Sequence, residues 1–424
     1  MVARSPKSPG PEAASGSWLQ SPQHRVWLLE DAAAQLRFFR ASLGRSPGFH
    51  TLDYRGRPLP SRLQALHTTT RLVHSYALGL LAGFRDGEAL VDQGLAYLWQ
   101  HHRDPKEGGY FWAMEAGEVQ DDRKLAYGHV FVLLAASSAK LVAHPDADRL
   151  LADVTEVLET RFWEAGPGLY ADEWTRDWQP FSNYRGMNAN MHGTEALMAA
   201  FEATGETLYL SRAGQLFDFF LRQQAPRYGW QIPEHYDVAW RVDADYAGDP
   251  LFRPSGTTPG HSFEWARLLL QYWDLQGRPD DDSEAIARQL INKALQTAWD
   301  DQRGGFFYTL DFAGQPLNRA RYWWPVTEAI GALATCLKLR SDPEMEAWYR
   351  RLWSFAAERL IDFQQGGWFP ELDADNQPAA AQFDGKPDIY HALQANLFTL
   401  VPSLSRLAEG LGELQEDFRA LGVN

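Results

Sequence analysis

Three short segments combine histidine with amide or carboxylate side chains at spacings suited to acid–base chemistry. They carry, in chain order, Asn188, Asn190 and His192; His261 and Glu264; Asp388 and His391. In the second and third segments the acidic residue and the histidine are three positions apart, so in a helix they would share a face. A carboxylate beside an imidazole raises the pKa of the ring and fixes its orientation. His261 and His391 are therefore the candidates for proton transfer.

Such a pair suits the movement of a proton from a carbon next to a carbonyl group. That reaction needs a base, an acid and a polarised oxygen, and Arg71 could stabilise the enediolate oxygen that develops. Glycoside hydrolysis is the competing chemistry, because it needs two carboxylates. The acidic residues that could supply them are Glu173, Glu234, Glu264, Glu328 and Glu371. The number of histidines in the candidate set argues against hydrolysis.

Ionisable residues recur in register at the starts of apolar helical segments. They are Arg71, His129, His192, His261, Glu328 and His391, at spacings of 58, 63, 69, 67 and 63 residues. Any one of them alone could be a helix cap or a buried polar residue with its hydrogen bonds satisfied. Six in register favour a shared site instead.

A second motif recurs with a similar period along the chain. Glycine followed by aromatic residues recurs at Gly109, Gly168, Gly229, Gly305 and Gly367, with steps of 59, 61, 76 and 62 residues. Glycine permits a tight turn, and the aromatic residues after it indicate a short β-hairpin. The regular period indicates a repeat architecture with two helices in each unit.

Apolar residues at three- and four-residue intervals predict amphipathic helices over most of the chain. The predicted helices are 27–40, 70–83, 89–101, 128–142, 147–162, 194–204, 208–224, 263–275, 283–299, 326–339 and 344–363. We therefore predict an all-α fold, an (α/α)6 barrel of six helical hairpins with short β-hairpins in its loops. Residues 1–20 are predicted to be a disordered tail, and residues 21–424 a single catalytic domain.

Composition excludes several classes of function. The net charge of −15 and pI near 5.3 argue against nucleic acid as a partner. Cys336 is the single cysteine, so a disulfide or cysteine-based metal cluster is excluded, and no metal or nucleotide motif is present. We expect neither a cofactor nor a metal. No apolar run suits a membrane span or a secretory signal, which favours a cytoplasmic protein.

Six collinear motifs resemble the N-acylglucosamine 2-epimerase superfamily, and within it the branch of mannose isomerases and sulfoquinovose isomerases. The motifs span roughly residues 25–400 and include Thr70-Arg71, Tyr127-Gly128-His129, Asn188-Ala189-Asn190-Met191-His192, Pro259-Gly260-His261 with Glu264-Trp265, Trp324-Pro325 with Glu328, and Glu371-Leu372-Asp373-Ala374-Asp375 followed by Asp388-Ile389-Tyr390-His391. The resemblance implies an (α/α)6 barrel and a metal-independent cis-enediol route between aldose and ketose.

The resemblance also implies site residues. His391 and His261 match the two acid–base histidines, and Glu264 matches the carboxylate that supports His261. The positions that match the lining of the sugar site are Arg71, Tyr127, Asn188, His192, Arg253, Trp324 and Glu328. Arg253, in an irregular stretch, could act in its own chain or line the site of a neighbouring subunit, so a homo-oligomer remains open.

Two departures from the branch bear on the substrate. Sulfoquinovose isomerases carry Trp-Trp-Gln before Glu-Leu-Asp-Ala-Asp, and the glutamine helps to hold the sulfonate. Here the run ends in Pro370, which has no donor, and His67 stands where the family tends to place tryptophan. The sequence therefore predicts a neutral monosaccharide, D-mannose interconverted with D-fructose, and D-lyxose with D-xylulose as a second pair. A mannose or glucose 2-epimerase, a sulfoquinovose isomerase and a non-catalytic glycan-binding barrel are the alternatives.

Overall fold

The computed structural model describes residues 16–44 and 48–421. Its α-helices are α1 (Pro22–Phe39), α2 (Leu66–Leu81), α3 (Glu88–Tyr97), α4 (Ala126–Leu141), α5 (Ala147–Val157), α6 (Met187–Thr204), α7 (Thr207–Phe217), α8 (Ala225–Arg227), α9 (Pro259–Leu275), α10 (Ser283–Ala298), α11 (Trp323–Leu339), α12 (Pro343–Phe355), α13 (Tyr390–Leu400), α14 (Leu407–Gly412) and α15 (Gln415–Ala420). Among these residues, no helix has the length and hydropathy needed to cross a bilayer.

Six inner helices form a closed ring. Helices α2, α4, α6, α9, α11 and α13 each contact the next, and α13 returns to α2. Each inner helix packs against one outer helix, in the pairs α2 with α3, α4 with α5, α6 with α7, α9 with α10, α11 with α12, and α13 with α1. The inner helices are buried on nearly all sides, because the ring covers one face and the outer helices the other. The predicted (α/α)6 barrel is confirmed.

Short antiparallel strands join the helices at the end of the barrel where the inner helices begin. The strands are β1 (Leu63–Ala65), β2 (Ala113–Glu115), β3 (Glu118–Asp121), β4 (Lys124–Leu125), β5 (Trp163–Glu164), β6 (Leu169–Tyr170), β7 (Glu173–Trp174), β8 (Arg185–Gly186), β9 (His235–Tyr236), β10 (Thr309–Leu310), β11 (Pro316–Asn318), β12 (Arg321–Tyr322) and β13 (Glu371–Leu372). The pairings β4 with β7, β8 with β9 and β12 with β13 each link neighbouring repeats. The strands therefore tie the starts of successive inner helices together.

Outer helices end in a common way, which explains the glycine–aromatic period. Widened π-helical turns close four of them, at Leu98–His102, Leu158–Phe162, Asp218–Gln224 and Ala356–Leu360. A glycine with positive φ then reverses the chain, as Gly109 does at 70° and Gly367 at 70°. The amide of the aromatic residue after the turn donates back to the helix end, for example Phe369 N to Leu360 O at 2.7 Å.

An ion pair fixes four of these turns to the next inner helix, and we call these four the turn ion pairs. The side chains are largely buried, except that Glu164 is 28% exposed. They are Lys124–Asp104 at 3.1 Å, Arg185–Glu164 at 2.6 Å, Arg321–Asp300, and Lys386–Asp362 at 2.8 Å. The acidic residue stands at the end of the outer helix, and the cation stands two to four residues before the inner helix. Three of the cations also donate to the carbonyl of the turn glycine, as Lys124 Nζ does to Gly108 O at 2.8 Å.

The N-terminal segment differs from its prediction. Residues 1–15 of the predicted tail lie outside the described residues, but residues 16–20 are ordered against α12. Trp18 is buried, and its backbone N donates to Glu346 Oε1 at 2.9 Å. The composition of the segment indicated disorder, and burial of this one ring together with a carboxylate partner overrides it.

His129, predicted to share the central site, supports the fold instead. Its Nε2 accepts from Tyr110 N at 3.0 Å and its Nδ1 donates to Leu125 O at 2.7 Å. Asn190 holds the equivalent position one repeat later, because its Oδ1 accepts from Tyr170 N at 2.8 Å. Both side chains anchor a glycine–aromatic turn, and neither lines the central cavity.

The turn ion pairs give the first prediction. Lys386→Met leaves Asp362 buried beside an uncharged side chain, and removal of one partner of a buried pair costs about 3 kcal/mol or more. We expect that loss in the free energy of unfolding, measured by urea denaturation. Lys140→Met is the control, because its pair with Asp148 is exposed and should cost less than about 1 kcal/mol. Equal losses in the two variants would contradict a special role for the buried pairs.

Candidate active site

A cavity of about 100 Å³ opens at the N-terminal ends of the inner helices. It is lined by His67, Arg71, Tyr127, Asn188, His192, Leu251, Phe252, Pro254, His261, Glu264, Tyr308, Trp323, Trp324, Phe383, Pro387, Asp388 and His391. Eight of the ten predicted site residues are in this set. Glu328 lies directly behind His391, and Arg253 lies outside the lining.

His391 forms a buried pair with Glu328. The ring Nδ1 lies 2.8 Å from Glu328 Oε1, and both side chains are almost inaccessible to solvent. Burial would raise the pKa of Glu328, but the charge of Arg267 and the hydrogen bond from His391 hold it below its usual range. An ionised Glu328 can only accept, so His391 Nδ1 carries hydrogen and Nε2 is left to exchange a proton with a ligand.

His261 forms a second pair, with Glu234. Its Nδ1 lies 3.0 Å from each oxygen of Glu234, and Glu234 Oε1 also accepts from Thr258 N at 3.1 Å. Trp324 stands between the two histidines, with ring centroids 5.0 Å from His261 and 5.8 Å from His391. The cavity therefore presents two imidazoles on either side of an indole ring, each backed by a carboxylate.

The predicted carboxylate partners of the two histidines are wrong. Glu264, predicted to support His261, lies instead 3.5 Å from His192 Nδ1 and 3.7 Å from Arg267 Nη2. Asp388, three residues before His391, binds Arg71 Nη1 at 2.9 Å. Residues three apart point in similar directions, but the histidine rings extend away from their own helix and meet carboxylates from neighbouring repeats.

Glu234 is a candidate site residue that the sequence motifs do not indicate. It was considered only as a possible hydrolase carboxylate. Its position gives a signal, because it follows its turn glycine, Gly229, by five residues, as Glu173 follows Gly168 and as Glu371 follows Gly367 by four. Each of these three glutamates is buried at the rim of the inner ring.

Glu264 is a buried carboxyl group that faces the cavity. Among residues 16–44 and 48–421, neither of its oxygens has a hydrogen-bond partner. Burial and the neighbouring charge of Glu328 raise its pKa well above the usual range. Both effects favour the protonated form of Glu264, which can donate a hydrogen bond to a ligand oxygen.

Arg71 projects a fixed positive charge into the cavity. Its Nη1 binds Asp388 and its Nη2 donates to Tyr127 Oη at 2.9 Å, while the guanidinium lies over Phe131 at 4.5 Å. Of the lining residues in the described part of the chain, it is the one arginine or lysine. These contacts hold it where it can stabilise negative charge on a ligand oxygen.

His192 and Asn188 supply neutral polar groups. Burial lowers the pKa of His192 to about 3, so the ring is neutral at physiological pH. Its faces pack on Tyr127 and Phe131, at centroid distances of 5.4 and 4.7 Å. Asn188 Oδ1 is buried without a hydrogen-bond partner in the described structure, which suits recognition of a hydroxyl group.

Arg253 lies beside the cavity in this conformation. Its guanidinium binds Glu173 at 3.1 Å and stacks on Tyr184 at 4.1 Å, and its neighbours Phe252 and Pro254 form part of the cavity wall. The wall also contains Tyr308, Trp323 and Phe383, aromatic residues that the motif analysis did not select. Their apolar surfaces suit the carbon faces of a small polar molecule.

One group of side chains has the composition of a metal site. His192, Glu195 and Glu264 place ligand atoms within 4.8 Å of one another. Arg267 already supplies positive charge to this group, and Tyr390 Oη donates to Glu195. A protonated Glu264 is a poor ligand for a cation.

Comparison with known proteins agrees with this geometry. The model of the N-acylglucosamine 2-epimerase (GlcNAc 2-epimerase) family matches residues 48–395. A D-mannose isomerase from Thermobifida fusca is 40% identical over 402 residues, 93% of this chain and 98% of that protein. A D-mannose isomerase from Pseudomonas cannabina pv. alisalensis is 38% identical, over 94% of this chain and 98% of that protein.

Solved structures give the same picture. A crystal structure of a D-mannose isomerase has a TM-score of 0.83 at 32% identity, and the alignment covers 88% of this chain and 97% of that one. A cellobiose 2-epimerase from Spirochaeta thermophila shares the fold, with a TM-score of 0.77 at 20% identity, over 92% and 98% of the two chains. The chain is therefore an isomerase that belongs to the N-acylglucosamine 2-epimerase family.

Proposed function

We propose that this enzyme interconverts D-mannose and D-fructose by metal-independent proton transfer through a cis-enediol. The observation that carries the proposal is the pair of buried histidine–carboxylate contacts, His391–Glu328 and His261–Glu234, that face one cavity across Trp324. The relatives named D-mannose isomerase support the choice of sugar.

His391 is the base for the carbon chemistry. Its Nε2 removes the proton from C2 of the open-chain aldose, and a hydroxyl proton moves from O2 to the adjacent O1 of the enediol. Nε2 then delivers a proton to C1, which gives the ketose. Arg71 stabilises the oxygen that becomes negative while the C–H bond breaks. Glu328 accepts the Nδ1 hydrogen and so keeps Nε2 free as an acceptor.

His261 opens the sugar ring. A cyclic sugar exposes no carbonyl group, so a proton must reach the ring oxygen while another leaves the anomeric hydroxyl. His261 Nε2 donates the first of these protons to the ring oxygen and accepts the second from the anomeric hydroxyl, while Glu234 accepts the hydrogen of Nδ1. Protonated Glu264 donates to a sugar oxygen. Glu234 and Glu328 are both engaged by histidines, which disfavours the competing two-carboxylate hydrolysis.

A neutral aldose suits the charge of the cavity. Arg71 is the cation among the described lining residues, and Asp388 already neutralises it. D-Lyxose has the configuration of mannose at C2 to C4 and lacks C6, so we propose it as a second substrate, converted to D-xylulose.

Separation of the products tests the proposal directly. The protein is incubated with mannose, glucose and sulfoquinovose, and the products are resolved by chromatography. Fructose from mannose supports the isomerase. Glucose as the first product of mannose would indicate a 2-epimerase instead, in which the enediol is reprotonated at C2, and no product from any sugar would favour a binding protein.

The second prediction concerns the two histidines. His391→Ala should abolish exchange of the C2 proton with deuterated water, measured by NMR, even when open-chain sugar is abundant. His261→Ala should lose activity on the order of 100-fold or more, as expected for a missing acid–base group. A substrate fixed in the open-chain form should relieve the His261→Ala defect in part, because that variant fails at ring opening.

His144→Ala is the matched control, since His144 pairs with Asp92 on the outside of the barrel at 3.0 Å. It should retain wild-type exchange. A folded His391→Ala enzyme that still exchanges the C2 proton at a near wild-type rate would remove this mechanism.

The third prediction concerns substrate charge. The value of kcat/KM should be higher for mannose than for sulfoquinovose, because Pro370 offers no donor to a sulfonate and its carbonyl is already bound by Trp323 N at 3.2 Å. The opposite ranking would mean that other groups hold the anion, with Arg253 and Arg71 first among them.

The fourth prediction concerns metal. We expect full activity after exhaustive dialysis against EDTA, because the charge of Arg267 and the raised pKa of Glu264 make the His192 group a poor site for a divalent cation. Activity is assayed before and after dialysis, with added Mg²⁺, Mn²⁺ and Co²⁺ as separate arms. Loss of activity that a divalent cation restores would overturn the metal-independent scheme.

A further inference from the structure

Arg267 lies beneath the candidate active site and does not line its cavity. It is on α9, one helical turn after Glu264, and its side chain is 1% exposed. Its Nη2 lies 3.1 Å from Glu328 Oε2, its Nη1 donates to Gln271 Oε1 at 3.2 Å, and its guanidinium stacks on Phe398 at 4.5 Å. It lines a second, smaller cavity on the opposite side, together with His74 and Gln394.

Arg267 is the cation beside a cluster of buried carboxyl groups. Glu195, Glu264 and Glu328 all interact with it, from α6, α9 and α11. The other ionisable groups that face this cluster are Arg71, His74, His192, Asp388, Tyr390 and His391. A buried carboxylate without a partner is costly and takes up a proton instead.

The position of Arg267 distinguishes between two neighbouring carboxyl groups. Its Nη2 is 3.1 Å from Glu328 and 3.7 Å from Glu264. Glu328 accordingly has a pKa below its usual range, set by the Arg267 charge and the His391 hydrogen bond against the effect of burial, while burial and the Glu328 charge raise the pKa of Glu264. Without Arg267, His391 alone would oppose the effects of burial and of the Glu195 charge, so protonation of Glu328 would become more favourable.

The protonation state of Glu328 determines the tautomer of His391. An ionised Glu328 accepts hydrogen from Nδ1, so Nε2 faces the cavity with its lone pair and can act as a base. A protonated Glu328 donates to Nδ1 instead, which places hydrogen on Nε2 and removes the base. The two states leave the shape of the cavity unchanged. The second holds one more proton than the first, which is carried on Nε2, and the hydrogen between the two side chains has moved from Nδ1 to Glu328.

We propose that Arg267 is a positioning residue that keeps Glu328 ionised and thereby holds His391 in the tautomer that accepts the substrate proton. The proposal rests on the assignment of His391 as the base in the proposed function. It adds that a residue out of reach of the substrate determines whether that base is available.

Variants at Arg267 and Glu328 test the proposal by kinetics. Arg267→Met should lower kcat for mannose on the order of 100-fold, since it removes a base, and change KM by less than about threefold. Arg267→Lys retains the charge, so its kcat should be at least about tenfold higher than that of Arg267→Met. In the Arg267→Lys variant the pKa of Glu328 should be higher than in the wild type. When the solution is acidified, Glu328 is then protonated at a higher pH, and activity should be lost at that higher pH.

A double-mutant cycle separates this pathway from a general structural role. Glu328→Gln removes the carboxylate on which Arg267 acts, so Arg267→Met should have little further effect in that background. Arg288→Met is the matched control, because Arg288 binds Asp342 at 2.8 Å on the outer helices. It should keep the wild-type kcat and pH profile.

The tautomer is measured directly by NMR on enzyme labelled with ¹⁵N-histidine, with the His391 signals assigned by comparison with His391→Gln. The wild type should carry hydrogen on Nδ1, and Arg267→Met should carry it on Nε2. This readout needs no turnover, so it stands even if mannose is the wrong substrate. If Arg267→Met fails to fold, the pH profile of Arg267→Lys tests the proposal instead. An unchanged tautomer and pH profile in the folded variants would overturn the proposal.

Discussion

Four ion pairs, three of them buried, hold the starts of inner helices in place, and the geometry of the candidate site depends on them. Each turn ion pair joins the carboxylate at the end of an outer helix to a cation just before an inner helix, as Lys386 joins Asp362 and Lys124 joins Asp104. Buried charges require partners of this kind. His391 and Tyr127 follow these cations by five and three residues, so each pair fixes the entry of a functional side chain into the cavity.

Two ion pairs lie at different depths in the centre of the barrel. Arg71 and Asp388 lie at the level of the cavity, and Arg267 and Glu328 lie beneath it. Each arginine also stacks on an aromatic ring, Phe131 or Phe398, at a distance of 4.5 Å. In such surroundings small differences in distance decide protonation, and neighbouring carboxyl groups can serve as acceptor and donor at the same pH.

Isomerisation and epimerisation need the same first step, which is removal of a proton next to a carbonyl group. They differ in the carbon that receives the proton, and so in the freedom of the enediol to move between the two histidines. Here the aromatic wall formed by Phe252, Trp324 and Phe383 narrows the space around the two rings. In the mechanism that we propose, the histidine that removes a proton from such a confined intermediate also returns one, which gives the ketose.

The sequence by itself determined the repeat, the barrel and most of the side chains that meet at its centre, because glycine turns and apolar periodicity are local properties. It placed several inner helices three to seven residues too late, at 70, 194, 263 and 326, where the structure begins them at Leu66, Met187, Pro259 and Trp323. The first turns at Leu66, Met187 and Pro259 carry His67, Asn188 and His261, polar residues that line the cavity and interrupt the apolar pattern. Only the tertiary structure decided which carboxylate serves which histidine, because Glu234 and Glu328 reach His261 and His391 from 27 and 63 residues away, through contacts between repeats that local spacing does not encode.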